Sequence, residues 1–257
     1  MLKLFTISLA VGLLTIFGCN NENQKTALPT PASFENFVEV KGGTFMMGAA
    51  DSVVGKDQDE RQHLVELSDY WIMDKTVSRA QWNSVMKPDA PNSDEDRKMP
   101  MTGITWDSVQ TFLQKLNDKG EWNYSLPTEA QWEYAARGGQ KSQGTIYSGS
   151  NNIDEVGWYS GNSNNRIHGS GELKPNELGL YDMTGNQWEW CQDWYGEYPN
   201  DTAAVVNPSG PANGAVKVLR GGSWYSVASL CRNTLRSGGE PSVKDKHYGF
   251  RLVRIKK

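Results

Sequence analysis

From residue 140 to residue 257 no stretch of the chain holds either a helical or a strand period for long, and Gly, Asn and aromatic residues dominate instead. A helical bundle or a parallel α/β sheet needs sustained apolar periods, so neither can be built from this half of the molecule. The composition points the same way, with 26 Gly, 10 Trp and 10 Tyr and few long aliphatic runs. The chain reads as a loop-rich fold of short strands and fixed-shape loops packed around aromatics. No fixed-period repeat is visible, which argues against a solenoid or propeller. The 257 residues can bury a core without a disulfide scaffold. Lys and Arg number 26 against 30 Asp and Glu, a formal net charge of −4. That balance excludes a generally basic nucleic-acid binder.

The first residues read as an address. Met1-Leu2-Lys3 is followed by an apolar run from Leu4 to Phe17 and then Gly18-Cys19, the three parts of a secretory signal. The run is shorter than the about 20 residues of a spanning helix. Ile16-Phe17-Gly18-Cys19 resembles a bacterial lipobox, in which Cys19 becomes the lipidated mature N-terminus; the alternative is an ordinary secretory signal with an incidental Cys. Residues 20–33 are polar with two Pro and read as a disordered tether. The expected division is a signal peptide at 1–18, a tether at 19–33 and one domain at 34–257. The partner at the N-terminus is then a membrane, and the location is exported and lipid-anchored. Besides Cys19 the chain has Cys191 and Cys231. In an oxidising compartment a Cys191–Cys231 disulfide is the simple expectation, and two free thiols are the alternative.

Within the domain, residues 34–48 alternate around Gly42-Gly43 and predict a β-hairpin. His63 to Met73 predicts one further strand. Ser78 reads as the N-cap of a helix carrying Trp82, Val85 and Met86, and residues 87–100, with three Pro, as a loop. Thr105 caps a helix over about 106–118, with Val109, Phe112, Leu113 and Leu116 on one face. Thr128-Glu129-Ala130-Gln131 is a capping box opening a short helix that Gly138-Gly139 stops.

Four segments carry the identity: SLPTEAQWEYAARG (125–138), NELGLYDMTGNQWEW (176–190), LRGGSW (219–224) and GFRLV (249–253). Together they resemble the formylglycine-generating enzyme family, the sulfatase-modifying factors, over about residues 37–254. The resemblance implies an α+β fold of the C-type-lectin-like kind. Function does not follow from it directly, because the family includes copper-dependent oxidases as well as ligand-binding lipoproteins.

The oxidases hold Cu(I) between two Cys five residues apart, after the GGS motif. Here Cys231 matches the second, but Ser226 stands at the first. A hydroxyl is a hard donor and does not replace a thiolate for Cu(I), so copper is not expected. Asp182, Gly185, Gln187 and Glu189 match a family calcium site, and Asn162 and Ser163 match the start of a second. Calcium is thus the expected ion; neither haem nor a nucleotide is expected. The three His, at 63, 168 and 247, show no metal-type spacing and read as surface or loop residues. Arg220, Arg232, Arg236 and Arg251 read as partners of carboxylates or loop carbonyls. The segment from Trp224 to Tyr248 lines the substrate groove in relatives, so Trp224, Tyr225, Ser226, Arg232, Asn233, Arg236, His247 and Tyr248 are the candidate contacts for an unknown protein or glycan ligand. The resulting expectation is a binding or assembly lipoprotein. The alternatives are an oxidase acting on an exported protein such as a sulfatase, and a lipoprotein whose face at 225–248 varies.

Overall fold

Two short turns, at Lys41-Gly42 and at Ser68-Asp69, decide how the first part of the chain is laid out. Strand β1 (Phe37–Val40) pairs antiparallel with β4 (Tyr70–Met73), whereas β2 (Gly43–Met47) pairs with β3 (His63–Leu67). The predicted hairpin is therefore absent, and the predicted single strand over 63–73 is two. Each chain segment crosses from one sheet to another at its turn. Asp69 fixes the crossing by accepting from the Gly42 amide at 2.8 Å and from Lys41 Nζ at 2.9 Å. A Cβ on Gly42 would run into the Leu67 carbonyl, so only glycine permits this approach.

The structure, a computed structural model, describes residues 33–87, 93–118, 122–200 and 203–256. Cys19, the signal and the tether before residue 33 lie outside them. The described residues belong to one compact unit, Pro31–Lys257.

Three helices arise where the caps predict them. The first, α1 (Arg79–Met86), has a full capping box from Ser78 and Gln81. A five-residue helix, α2 (Asp94–Lys98), interrupts the predicted loop, started by a capping box of Ser93 and Asp96. Thr105 caps α3 (Trp106–Asn117), which buries Val109, Phe112 and Leu113. Strand β5 (Trp122–Ser125) leads into α4 (Glu129–Ala136), capped by Thr128 and Gln131. Only α5 (Ile153–Val156), β6 (Gly157–Trp158) and β7 (Thr184–Gly185) punctuate the long loops that follow.

The rest of the chain supplies β8 (Trp188–Trp194), β9 (Val205–Val206), β10 (Lys217–Arg220), β11 (Arg236–Gly239), β12 (Tyr248–Gly249) and β13 (Val253–Lys256). One sheet runs β1-β4-β13-β5, a second β11-β10-β8-β12, a third β2-β3-β9, and β6 pairs with β7. One apolar core gathers Val40, Ile72, Trp132, Leu180 and Val218 around α4. A second joins α1 and α3 to Trp190, Phe250 and Leu252. In it the Trp82 ring stacks on Phe112 at 5.2 Å, and Phe250 meets Phe112 edge-on at 5.4 Å.

Because the Gly42 turn admits no side chain, Gly42→Ala is expected to lower unfolding free energy by about 2 kcal/mol or more. Gly55→Ala meets open space and carries only the strain of its positive φ, so its expected loss is about 1 kcal/mol. Urea unfolding of the two variants separates them; equal losses would show that the Gly42 turn tolerates a Cβ.

Candidate functional site

Strand β10 delivers the chain into the site. All four of its residues are buried, and Gly221 and Gly222 follow with φ of 94° and 78°. A Cβ on Gly222 would lie 2.5 Å from Cys231 Sγ and 2.9 Å from the Leu230 carbonyl. Glycine at this point lets the 230–231 turn close over the strand end. The Ser223 amide then donates to Ser226 Oγ at 3.0 Å, and the Ser223 and Ser226 hydroxyls are 3.1 Å apart. The same amide lies against Cys231, where it offsets a little of the burial that pushes the thiol up to about 12. Positions 226 and 231, the two that the resemblance matches to the copper cysteines, thus meet at one backbone amide. What meets there is a hydroxyl and a protonated, fully buried thiol. Neither is a soft anionic donor, so the residues present do not fit Cu(I).

Outside this turn lies an open groove of about 350 Å³, walled in part by Trp188, Tyr225, Ser226, Leu230, His247 and Tyr248. Tyr225 is 64% exposed and Val227 55%. Trp224 backs the groove, its ring 4.7 Å from His247 and 5.6 Å from Tyr225. Asp245 Oδ1 accepts from His247 Nδ1 at 2.5 Å, which leaves His247 Nε2 buried without a partner.

Arg232, Asn233 and Arg236 line no part of this groove. Arg232 clamps Glu60 through Nη2 at 2.6 Å and Nη1 at 2.8 Å. Asn233 Nδ2 donates to the Thr145 carbonyl at 3.1 Å. Arg236 holds Glu129 through Nε at 2.7 Å and Nη2 at 2.8 Å, with its guanidinium 3.7 Å over the Tyr198 ring. Planar bidentate pairing of this kind belongs to the interior, not to a ligand face. Arg220 joins the set by pairing with Glu133 in the interior. Burial alone would raise the Glu133 carboxyl, but Arg137 and Arg220 hold it below its ordinary value.

The two cysteines are free and both fully buried, so the expected disulfide is corrected. Cys191 lies within β8 in the core around α4, and its carbonyl accepts from Trp106 Nε1 at 3.0 Å. Cys231 is held under Gly222. Each thiol has its own packing environment, and burial pushes the Cys191 thiol well above its ordinary value.

Residues 182–189 form the loop expected to hold calcium. Asp182 Oδ2 accepts from the Gly171 amide at 2.8 Å. The Gly185 carbonyl accepts from the Gln187 amide at 2.7 Å. Both Glu189 oxygens face Arg251, with Nε and Nη2 each at 2.7 Å, and Trp132 Nε1 adds a third bond at 3.0 Å. A cation at Glu189 would compete with a fully buried guanidinium, so Glu189 as folded is not free for calcium, whereas both polar atoms of the Gln187 side chain are buried without a partner. Around the second expected site, Asn162 Oδ1 accepts from the Tyr159 amide at 2.9 Å and its Nδ2 donates to the Gly157 carbonyl at 3.0 Å. Ser163 Oγ donates to the Trp224 carbonyl at 2.7 Å. These side chains knit the loop to itself and to the back of the groove. Of the histidines expected at the surface or in loops, His168 lies in a loop and His63 in β3, and each is only 5% exposed; the His168 ring stacks on Trp158 at 3.8 Å.

Sequence reasoning missed the acidic half of these pairs. Glu129 and Glu133 stand one helical turn apart on a helix whose other residues are Ala, Gln131, Trp132 and Tyr134, and that spacing was the available signal. Glu60 lies in a charged segment and offered none.

Short mixed sheets, few helices and long bonded loops, with a groove beside the Gly-Gly turn, define a loop-rich α+β domain of the formylglycine-generating type. The chain belongs to the sulfatase-modifying factor family, since the family model for the sulfatase-modifying factor enzyme 1-like domain matches residues 23–256. It is 30% identical over 272 residues to the chaperone protein LppX of Paenibacillus barcinonensis, covering 86% of this chain and 90% of that one. It is 31% identical over 203 residues to the formylglycine-generating enzyme of Streptomyces coelicolor, covering 72% of this chain and 60% of that protein. Among solved structures it matches Treponema denticola variable protein 1 with a TM-score of 0.74 at 27% identity, covering 84% of this chain and 94% of the other.

Removing the Glu189 charge leaves Arg251 buried and unpaired. Glu189→Gln is expected to cost about 3–5 kcal/mol, and by the same amount in added calcium and in chelator. A loss seen only with calcium present, measured as the shift in thermal melting, would assign the loop to the ion after all.

Proposed function

We propose that this chain is an exported, lipid-anchored protein that uses its groove to bind a protein or glycan partner and does not oxidise cysteine with copper. The observation that carries this reading is the pair at the foot of the groove. Ser226 presents a hydroxyl and Cys231 a thiol held protonated up to about 12, so no thiolate pair is available at neutral pH. The groove wall suits a binding role, because Tyr225, Val227 and Leu230 are exposed aromatic and aliphatic side chains that gain from being covered. The name of the similar Paenibacillus protein, a chaperone, agrees with binding in place of turnover. The anchor rests on Cys19 at the end of the apolar run. One acyl chain holds only marginally, so several on one Cys are needed for firm attachment.

Two experiments test the parts separately. Wild-type protein supplied with Cu(I) and a peptide carrying the sulfatase-type Cys is expected to leave the peptide mass unchanged. Ser226→Cys is expected to raise copper affinity by restoring a second sulfur. Conversion of the peptide Cys by the wild type would replace the binding reading with the oxidase reading. For the anchor, Cys19→Ala is expected to move the protein from the membrane to the soluble fraction while residues 1–18 are still removed. Unchanged membrane association of that variant ends the lipid-anchor reading and leaves the groove reading standing.

A further inference from the structure

A second cavity of about 350 Å³ lies at the start of α4 and the end of β8, and it shares no lining residue with the groove. Cavities of this size are large enough for a small organic molecule. At its wall stands Asp193, 3% exposed. Asp193 Oδ2 accepts from the Glu129 amide at 3.0 Å, and among the described residues no cation forms an ion pair with it. Lys217 acts on it only from a distance, since its Nζ is bonded to the Gln192 carbonyl at 2.9 Å and held between the Trp106 and Trp194 rings. Glu129, the neighbouring carboxylate, already has Arg236.

The polar atoms near Asp193 are chiefly acceptors. His63 lines the same cavity, and its Nδ1 lies 3.3 Å from the Arg61 carbonyl. That bond places the ring proton on Nδ1 and leaves Nε2 as an acceptor. Tyr198 gives its hydroxyl proton to Glu129 Oε1 at 3.1 Å, so its oxygen too can accept. The one guanidinium lining it, Arg236, is engaged on all three nitrogens, with Nε and Nη2 on Glu129 and Nη1 on the Asp59 and Gly196 carbonyls. The rest of the wall is mostly apolar, with Met47, Ala130, Val205, Pro208 and Pro211, and carries Ser209 and a second carboxylate, Glu197. No group of three or more His, Cys, Asp or Glu among the described residues is placed to hold a metal ion.

A site that offers a carboxylate, further acceptors and an apolar wall matches one kind of ligand: a three-donor cation on a short hydrocarbon body. We propose that this cavity binds a small organic primary ammonium ion, its nitrogen on Asp193 and its body against Met47, Val205 and the two prolines. The burial cost at Asp193 supports this. Desolvation, with the Glu129 charge second, pushes its carboxyl up to about 7, so its charged form is costly as it stands and an incoming cation would stabilise that form.

The probes are butylammonium and phenethylammonium, with phenethyl alcohol as the uncharged control, titrated into the whole protein by calorimetry and by tryptophan emission, since Trp194 lines the cavity. Saturable binding is expected for at least one ammonium ion, with the alcohol at least tenfold weaker. Asp193→Asn keeps the shape and the bond from the Glu129 amide, and is expected to weaken ammonium binding at least tenfold. Val205→Trp fills the cavity from β9 and is expected to abolish binding, which keeps the test decisive should the Asp193 variant not fold. Tyr225→Ala, in the separate groove, is expected to bind as wild type. The proposal fails if neither ammonium ion binds saturably, if the alcohol binds as well, or if both cavity variants bind as tightly as wild type.

Discussion

Three carboxylate–guanidinium pairs cross the interior and tie α4 and β8 to the later strands. Glu133 meets Arg220 of β10, Glu129 meets Arg236 of β11, and Glu189 of β8 meets Arg251 just before β13. Each joins segments far apart in the chain, the separations being 87, 107 and 62 residues. A fold with so little regular structure has few ladders to hold its loops in place. Buried charge pairs take over that task, two of them (Arg236 and Arg251) bidentate and so fixing direction as well as distance. Their net contribution to stability is modest, because burying both charges offsets most of the attraction, yet removing one member leaves the other stranded. Trp132 reinforces the arrangement by donating to Glu189 from the same helix that carries Glu129 and Glu133.

The same economy of structure explains the groove. The Gly221-Gly222 turn brings Ser223, Ser226 and Cys231 together whatever the side chains there can do chemically. What the turn gathers is two hydroxyls and one buried thiol. The frame is held by the Glu–Arg pairs behind it, so the groove wall at Tyr225 to Leu230 is free to carry side chains that contribute nothing to the core. Tyr225 at 64% exposure shows how little the fold asks of that position.

Local signals in the sequence were legible and distant ones were not. Ser78, Thr105 and Thr128 announced their helices because a cap is a bond between residues three apart. The fold class and the motif segments were also readable, since the motifs are long and rich in Trp and Gly. The hairpin at Gly42 was misread because alternation identifies a strand but says nothing about its partner. Cys191 and Cys231 suggested a bridge from their count alone, and count carries no geometry. Arg232 and Arg236 looked like ligand contacts because they sit beside the groove in sequence; Glu60 and Glu129, which claim them, lie 172 and 107 residues away. For Asp193 and its cavity no local pattern exists, because the walls come from β2, β3, α4, β8 and the segment around Pro208–Pro211.

The position of β13 has a consequence for how the chain comes to be folded. Residues 253–256 are not an edge; they lie between β4 and β5, in the middle of the first sheet. Until they arrive, β4 and β5 have no common neighbour, and Arg251, two residues earlier, is not yet opposite Glu189. The first sheet and the Glu189–Arg251 pair are therefore complete only once residues 251–256 are in place, and contacts so distant in sequence are slow to form.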